Sequence, residues 1–390
     1  MAVSGESGVR VSSRVTLFIN SLRGGGAERV CATLANELYA LGWNIQILVL
    51  NLRDAIICDS VHPNIRIYNL GVEHARYSVL GIARYVREQR PEQFLVFNHQ
   101  LAVLLVLLRG IRAGRFSVVA RNISTLSRKA SLEPSFWHRS VVHALTRAFY
   151  RRVELIIAQS EGMKRDLICS YGINEDQLRV IHNPLSESFS REREGRPLPW
   201  QLRGDELLYV GRLSAIKGLD LLIDACAICM RLNPNLVLRL VGDGEEKAAL
   251  KRRAESAGIG SRVVFEGYVT DAIEFFANAK LLVLTSHYEG FPNVLLEALS
   301  QGTPIVSVDC ESGPSEIVQE GINGFLVRSR EARDFANTVQ RALARQWDAG
   351  DVQKTARSFS SREIACRYAA ELISAHGPEK GSTDIVGGVE

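Results

Sequence analysis

Residues 285–304, TSHYEGFPNVLLEALSQGTP, decide the fold of this chain. They follow an apolar run at residues 281–284, which has the composition of a buried strand in a parallel sheet. Pro292 and Asn293 then mark the start of a helix, because proline is favoured in the first turn. A buried strand, a short polar loop and a helix form the repeating unit of a doubly wound α/β domain.

Two carboxylates bracket the start of this predicted helix. Glu289 lies in the loop and Glu297 lies one turn inside the helix. The first N–H groups of the helix, including those of Phe291, Asn293 and Val294, should point to the same region. Carboxylate acceptors beside amide donors suit a ligand with both hydroxyls and phosphates, such as a nucleotide sugar. The alternative is that both acids are solvated, since acids are common at helix starts.

The pattern of strands and helices predicts an α/β fold with two Rossmann-like domains, each built on a doubly wound parallel sheet. A strand, a glycine-rich turn, a helix and a second strand open the chain, and the same order restarts near residue 206. The predicted segments are a disordered N-terminus at 1–13, a first domain at 14–184, a linker at 185–205, a second domain at 206–360, a C-terminal helix at 361–376 and a disordered tail at 377–390.

Composition limits the classes of protein to which the chain can belong. Of its 390 residues, 46% are hydrophobic and 23% are charged, which are values typical of a globular protein. No apolar run reaches the roughly 18 residues of a membrane-spanning helix, and the N-terminus lacks the apolar core of a signal peptide. The seven cysteines are scattered, as in a reducing compartment. We therefore expect a cytoplasmic protein.

Two cations follow the first predicted strand of the second domain. Arg212 and Lys217 lie in the loop GRLSAIKG, at the end of the strand where such folds bind phosphate. A guanidinium and an ammonium group at this place could neutralise a diphosphate. Gly242, after the next strand, would let the backbone approach a ligand closely. The alternative is that both cations are solvated surface residues.

The first domain offers two further candidate sites. Its first strand is followed by SLRGGGAER, in which Gly25 and Gly26 would let the backbone and a helix N-terminus reach an anion. The alternative is a tight turn without a ligand. His99 follows the predicted strand at residues 94–97, at the edge where open parallel sheets bind ligands. A structural histidine is the alternative there.

Residues 109–152 are strongly basic. They contain ten lysines or arginines and one acid, Glu133, together with several aromatic residues. Such a segment is typical of a surface that binds anionic lipid headgroups or an anionic acceptor. The alternative is a solvated face with some core aromatic residues. Nucleic acid is not an expected partner, because no nucleic-acid-binding module accompanies the segment.

Five motifs occur in order along the chain: G-G-A-E-R at 25–29, G-R-L-x-x-x-K-G at 211–218, V-G-D-G at 241–244, S-x-Y-E-G-F-P-N-V-L-L-E-A at 286–298 and G-T-P-I-V at 302–306. This order resembles that of retaining glycosyltransferases of family 4 (glycosyl transferases group 1), which have the GT-B fold. The resemblance extends over about residues 15–375 and implies two Rossmann-like domains that face a cleft. The segment D-C-E-S-G-P-S-E-I at 309–317 is similar to members that build bacterial surface polysaccharides from UDP-hexose or UDP-N-acetylhexosamine.

The resemblance also implies a role for each motif residue. Arg212 and Lys217 would bind the donor diphosphate, Glu289 would hydrogen-bond sugar hydroxyls, and Glu297 would hold the nucleotide ribose. His99 stands where family members have an acceptor-side histidine, and it completes the implied catalytic set. The implied donor-binding set is Gly25, Gly26, Gly211, Gly242, Gly290, Phe291, Pro292, Asn293, Val294 and Glu297.

The expected function is therefore transfer of a hexose or N-acetylhexosamine from a nucleotide sugar to a glycan or lipid-linked acceptor, with retention of anomeric configuration. We expect a UDP-linked donor, no cofactor and no metal, because Arg212, Lys217 and helix N-termini could replace a cation. Peripheral attachment to the inner face of the cell membrane would use residues 109–152.

Other functions are compatible with the same scaffold. They are a sugar-nucleotide epimerase and a non-catalytic module that binds a nucleotide or a lipid headgroup. An NAD-dependent dehydrogenase is disfavoured, because the first glycine loop lacks the dinucleotide-binding spacing.

Overall fold

The chain folds around two separate parallel sheets. The computed structural model describes residues 14–111, 113–123, 125–127, 143–190 and 197–376. The first sheet contains β1 (Arg14–Ile19), β2 (Asn44–Val49), β3 (Arg66–Asn69), β4 (Gln93–Val96), β5 (Ser117–Arg121), β6 (Leu155–Ala158) and β7 (Leu178–Val180). The second contains β8 (Gly204–Val210), β9 (Val237–Val241), β10 (Val263–Gly267), β11 (Ala279–Leu284), β12 (Ile305–Val308) and β13 (Gly324–Val327). All neighbouring strands pair in parallel.

Helices connect these strands, as a parallel sheet requires. In the first half of the chain they are α1 (Gly26–Ala40), α2 (Val79–Gln89), α3 (His99–Gly110), α4 (His143–Phe149), α5 (Glu161–Tyr171) and the short α6 (Glu187–Ser190). In the second half they are α7 (Leu219–Leu232), α8 (Lys247–Ser256), α9 (Ile273–Asn278), α10 (Asn293–Ser300), α11 (Pro314–Ile317), α12 (Ala332–Ala344), α13 (Ala349–Lys354) and α14 (Ser361–His376). No helix of the described residues combines the length and apolarity needed to cross a membrane.

The strand order reverses once in each sheet. It is β3-β2-β1-β4-β5-β6-β7 in the first sheet and β10-β9-β8-β11-β12-β13 in the second. Connections on the two sides of such a reversal diverge and leave a crevice at the carboxyl ends of the two central strands. The glycine turn and His99 lie at the first crevice, after β1 and β4. Arg212, Lys217 and Glu289 lie at the second, after β8 and β11.

The prediction of two doubly wound parallel sheets is confirmed. The predicted strands at 155–158 and 324–327 coincide with β6 and β13, and the other predicted strands differ from the observed ones by a few residues at their ends. The three-residue β7 was not predicted, because its sequence, Leu-Arg-Val, is too short to show alternation or an apolar run.

Part of the stretch predicted as a linker belongs to the second core. Leu185, Phe189 and Trp200 are buried and pack with the side chains of the second sheet. The strand β8 begins at Gly204, inside the predicted linker. Residues 1–13 and 377–390, for which we predicted disorder, lie outside the described residues.

The C-terminal helix α14 returns to the first domain. Ile364, Ala365, Tyr368 and Leu372 are buried in the core beneath the first sheet. The side chain of Gln93, on β4, donates a hydrogen bond of 3.1 Å to the backbone oxygen of Leu372. The helix that follows the second domain in sequence therefore completes the core of the first.

A carboxylate of the second domain caps a helix of the first. Glu316, on α11, accepts hydrogen bonds from the backbone N–H of Glu161 at 2.9 and 3.0 Å, and it lies 3.1 Å from Nε2 of His182. Ser160 accepts from the N–H of Met163 and caps the same end of α5. Burial opposes ionisation of Glu316, but these hydrogen bonds outweigh it and lower the pKa of its carboxyl group from the ordinary 4.5.

We expect the Glu316→Gln substitution to lower the free energy of unfolding by about 1–3 kcal/mol near neutral pH, because it removes a charged hydrogen-bond acceptor. Folding lowers this pKa, so the stabilisation is present above the ordinary carboxyl pKa and is lost as the pH falls through the folded value. Thermal unfolding at about pH 7 and about pH 4 measures it. An equal effect at both pH values, or an effect no larger than that of Glu255→Gln on the exposed face of α8, would contradict the assignment.

Candidate active site

Backbone contacts tie together the two loops at the second crevice. The N–H of His287 donates to the backbone oxygen of Ile216 at 2.8 Å. The hydroxyl of Thr285 donates to the backbone oxygen of Lys217 at 3.1 Å. These contacts hold together two loops that are far apart in sequence.

Lys217 and Glu289 form an ion pair at this junction. The Nζ of Lys217 lies 2.6 Å from Oε1 of Glu289, and the hydroxyl of Ser286 donates to the same oxygen at 2.6 Å. Their side chains are 25% and 12% exposed, so the pair faces a partly open space. The sequence motifs imply separate roles for these two residues, whereas the structure brings them into direct contact. Two donors fix the orientation of the carboxylate.

Arg330 was missed by the sequence analysis. Its two terminal nitrogens donate to the backbone oxygens of Ser286 and Thr285, each at 3.0 Å. The guanidinium thus holds the loop that carries Glu289. Arg330 follows β13 at the same carboxyl edge of the sheet, and this position is the signal by which it could have been found.

Gly218 and Gly242 are required by packing between backbones. A Cβ atom on Gly242 would lie 2.0 Å from the backbone oxygen of Gly211, and the φ of Gly242 is +135°. At Gly218, φ is +57° and a Cβ atom would lie 2.5 Å from the backbone oxygen of Thr285. These glycines let the turns of the second domain pack against each other. The role of Gly211 and Gly242 in donor binding stays a prediction.

Burial disfavours ionisation of two further side chains near the Lys217–Glu289 pair, Cys310 and Tyr209. Burial and the charge of Glu289 raise the pKa of the Cys310 thiol to about 12, so the thiol stays protonated at neutral pH. Burial likewise raises the pKa of Tyr209, whose hydroxyl donates to the backbone oxygen of Arg212 at 2.9 Å. The Arg212 side chain itself is exposed. The charged groups at this place therefore include Lys217, Glu289 and Arg330, with the exposed Arg212 in the same loop as Lys217.

The start of α10 offers its backbone to the crevice. Phe291 and Pro292 are buried, and Phe291 stacks on His182 with ring centroids 5.0 Å apart. Val294 packs against the second core. Since these side chains face protein, a ligand would reach this segment through the backbone N–H groups of Phe291, Asn293 and Val294, which are the groups that the sequence predicted for the site.

A small pocket lies between α1 of the first domain and α10 of the second. Its lining includes Arg29 and Thr33 from α1, Ser186 from the connecting segment (residues 181–186, between β7 and α6), and Asn293 and Glu297 from α10. Burial raises the pKa of the Glu297 carboxyl group, and the positive charge of Arg29 counteracts this effect. The pocket therefore joins the helix that follows the glycine turn to the helix that carries Glu297.

The glycine turn faces α10. Gly25 is the N-cap of α1, and a Cβ atom on Gly26 would lie 3.8 Å from Nδ2 of Asn293. The glycine turn of the first domain therefore lies close to the second domain. A Cβ atom on Gly25 would lie 2.5 Å from Oε2 of Glu28, so this carboxylate stands at the point where we predicted an anion.

His99 is the first residue of α3, and its ring lies edge-on to the ring of Tyr150 at 6.4 Å. The neighbouring Asn98 caps α3 by accepting a hydrogen bond from the N–H of Gln100. His99 thus lies at the crevice of the first sheet, as predicted. Its acceptor-side role stays a prediction.

Several cations of the basic segment 109–152 have internal partners. Arg121 is buried, at 1% exposure, which corrects its interpretation as part of a surface. Arg109 pairs with Glu154, and Arg151 donates to the backbone oxygen of Tyr171. Arg147 and Arg152 are exposed. Arg112 and residues 128–142, which contribute four of the ten cations, lie outside the described residues.

Family models match both halves of the chain. The Glycosyltransferase Family 4 model matches residues 24–189, and the Glycosyl transferases group 1 model matches residues 190–360. The chain belongs to the family 4, group 1 glycosyltransferases. Together the two matches cover residues 24–360, which include every named strand except β1 and every candidate site residue.

Named relatives of this family align with the chain to different extents. The lipopolysaccharide 1,6-galactosyltransferase of Escherichia coli K12 is 29% identical over 54% of this chain and 58% of the relative, so the chain spans little more than half the length of that relative. The N-acetylgalactosamine-N,N'-diacetylbacillosaminyl-diphospho-undecaprenol 4-alpha-N-acetylgalactosaminyltransferase of Campylobacter jejuni is 26% identical over 80% of this chain and 86% of the relative.

A solved structure of the family's fold covers nearly the whole chain. Anabaena HepE in complex with UDP-glucose is 22% identical, covers 93% of this chain and 99% of its own, and superposes with a TM-score of 0.74. The GT-B fold implied by the sequence motifs is thereby confirmed.

We expect Gly242→Ala to destabilise the protein by at least about 3 kcal/mol, because the new methyl group would overlap the backbone oxygen of Gly211. The matched control is Gly258→Ala, where φ is +74° and no atom lies within 4 Å of the added carbon. That variant should lose only about 1–2 kcal/mol through backbone strain. Urea unfolding measures both. Equal losses would mean that packing between the turns contributes nothing.

Proposed function

We propose that this protein is a retaining glycosyltransferase that moves a hexose or N-acetylhexosamine from a UDP-sugar to a glycan or lipid-linked acceptor. The process would be the synthesis of a bacterial lipopolysaccharide or another bacterial polysaccharide. The observation that carries the proposal is the contact between Lys217 and Glu289 beside the start of α10.

The contact fits the shape of a sugar nucleotide. A carboxylate accepts hydrogen bonds from sugar hydroxyls, and an ammonium group neutralises phosphate oxygens. In a sugar nucleotide the sugar is bonded directly to a phosphate. The carboxylate that binds the sugar hydroxyls and the ammonium group that binds the phosphate must therefore lie close together in the protein. Lys217 and Glu289 are 2.6 Å apart, and the N–H groups at the start of α10 supply further donors for the diphosphate.

The proposed reaction breaks the bond between the anomeric carbon and the phosphate oxygen and forms a bond to the acceptor hydroxyl on the same face of the sugar. The proton of that hydroxyl passes to an oxygen of the departing phosphate. Arg212, Lys217 and the start of α10 would stabilise the negative charge that develops on the leaving UDP. This arrangement would make a metal ion unnecessary, because cationic side chains and backbone dipoles take over its task.

The relatives support the choice of substrates. One is named as a lipopolysaccharide galactosyltransferase, and another is named for transfer of N-acetylgalactosamine to a diphospho-undecaprenol-linked sugar. HepE was solved with UDP-glucose. These names favour a UDP-linked donor and an acceptor that is part of a glycan or carries a lipid.

We expect one nucleotide series to raise the thermal unfolding temperature in a panel of UDP-, GDP-, ADP- and dTDP-sugars, and we expect it to be the UDP series. A ligand at about one hundred times its dissociation constant adds about 2.7 kcal/mol of stability. The shift should be unchanged by EDTA. No shift with any nucleotide would contradict the proposed donor site, and loss of the shift in EDTA would contradict metal independence.

Activity variants complete this test. Lys217→Ala and Glu289→Gln should each lower the transfer rate by about 100-fold or more while the unfolding temperature stays near that of the wild type. Lys354→Ala is the matched control, because Lys354 pairs with Asp351 on an exposed helix face. An epimer formed from the donor alone would favour an epimerase, and UDP binding without turnover on any acceptor would favour a binding module.

We further propose that the exposed part of the basic segment attaches the protein to an anionic membrane surface from the cytoplasmic side. Arg147 and Arg152 are exposed beside the half-exposed Leu145 on α4 and its extension. Each cation near a charged bilayer contributes about 1 kcal/mol. Replacement of both by glutamine should weaken binding to phosphatidylglycerol-containing vesicles roughly 30-fold. Arg231→Gln with Arg252→Gln, in the second domain, is the charge-matched control; equal losses would contradict a specific surface.

A further inference from the structure

A chain of hydrogen bonds connects the interior of the first domain to the start of α10. Arg121, the last residue of β5, donates through Nε to the hydroxyl of Tyr368 at 3.0 Å. Its Nη2 donates to Oδ1 of Asn183 at 2.5 Å. Nδ2 of Asn183 then donates to Oδ1 of Asn293 at 2.6 Å. Side chains from α14, the first sheet, the connecting segment and the second domain are thereby linked in series.

The guanidinium fixes the direction of every bond in this series. An arginine side chain only donates hydrogen bonds, so the atom of Asn183 that faces Arg121 must be its oxygen. The nitrogen of Asn183 therefore faces Asn293 and must meet an oxygen. Nδ2 of Asn293 consequently points away from Asn183. That nitrogen lies 3.8 Å from the position of a Cβ atom on Gly26, which places an N–H₂ group between the glycine turn and α10.

We propose that Arg121 and Asn183 are positioning residues that orient the carboxamide of Asn293 so that it donates hydrogen bonds to a phosphate or ribose oxygen of the donor nucleotide. This inference rests on the proposed function, because it assumes that a nucleotide binds between the glycine turn and α10. It adds side-chain donors to the backbone N–H groups that the sequence motif had indicated.

A purely structural role does not explain the residue at position 183. Arg121 is 1% exposed, its Nη1 has no hydrogen-bond partner, and no carboxylate of the described residues forms an ion pair with it. A buried cation of this kind is best stabilised by a carboxylate. Aspartate has nearly the same shape as asparagine and would provide one, yet it could not donate to Asn293. An asparagine stabilises the Arg121 guanidinium less well than an aspartate would. Its N–H₂ group, however, donates a hydrogen bond to Asn293 and so leaves the N–H₂ group of Asn293 directed toward the cleft.

The substitution Asn183→Asp separates the two roles. The new carboxylate pairs with Arg121, so the unfolding temperature should stay equal to or rise above that of the wild type. An ionised aspartate accepts hydrogen bonds only, so the carboxamide of Asn293 turns its nitrogen toward it and presents its oxygen to the donor. We expect the dissociation constant of UDP, measured by calorimetric titration, to increase about tenfold or more. The KM for the sugar nucleotide should rise with it, while kcat changes less.

A double-mutant cycle tests whether the effect passes through Asn293. In an Asn293→Ala background, Asn183→Asp should cause little further loss of UDP affinity, because the carboxamide that it reverses is absent. A loss of equal size in both backgrounds would overturn the proposal and would mean that the altered charge around Arg121 acts directly. Asn174→Asp, which adds a charge at an exposed helix cap of the first domain, should leave UDP affinity unchanged.

The failure of this inference is distinguishable from the failure of the proposed function. If the wild type binds no nucleotide, the proposed function fails, whatever the roles of Arg121 and Asn183. If the wild type and Asn183→Asp bind UDP equally well, Arg121 and Asn183 do not orient Asn293 for the nucleotide, and the proposed donor site is unaffected. Should Asn183→Asp not fold, Asn183→Ala gives a second test, because it removes both the acceptor of Arg121 and the donor to Asn293; UDP affinity should fall in the wild-type background and stay unchanged in the Asn293→Ala background.

Discussion

The reversal of strand order between β8 and β11 is the constraint on which the candidate site depends. Because these two strands are neighbours and parallel, the loops after them leave the sheet at the same edge. One loop carries Lys217 and the other carries Glu289, and the divergence of the following helices leaves room for a ligand between them. Arg330, after β13, holds the second loop in place by its backbone oxygens. Lys217 and Glu289 therefore form an ion pair because β8 and β11 are neighbours in the sheet, and neither of the two sequence motifs alone would reveal the pair.

Local sequence patterns identified the elements of this arrangement because buried parallel strands are short apolar runs, and the runs at 155–158 and 324–327 have clear ends. The same patterns placed Arg212, Lys217, Glu289 and His99 at the carboxyl ends of strands. They could not show that Lys217 touches Glu289, since that contact joins loops 72 residues apart. Nor could they separate a buried cation from an exposed one. Arg121 was grouped with a surface segment because its charge alone does not reveal that it is buried. Its position as the last residue of the buried strand β5 was the sequence feature that could have indicated its burial.

Two groups of polar contacts join the two domains near the candidate site and at the start of α5. Asn183 reaches Asn293, and Glu316 reaches the start of α5 and His182. Each of these contacts joins the first domain, or the segment that follows β7, to the second domain. Opening the cleft would expose the first N–H groups of α5 and the carboxamide of Asn293 together. The same hydrogen bonds therefore fix both the geometry of the candidate site and the relative position of the domains.

The return of α14 to the first core has a consequence for how the protein is made. Tyr368 and Leu372 fill space beneath the first sheet, but the ribosome adds them after the entire second domain. The first domain is synthesised first, but the α14 side chains that complete its core are added only near the end of synthesis. It therefore cannot finish folding as an independent unit during translation. The two domains mature together, and a chain that stops before residue 361 leaves an apolar face of the first domain open to aggregation.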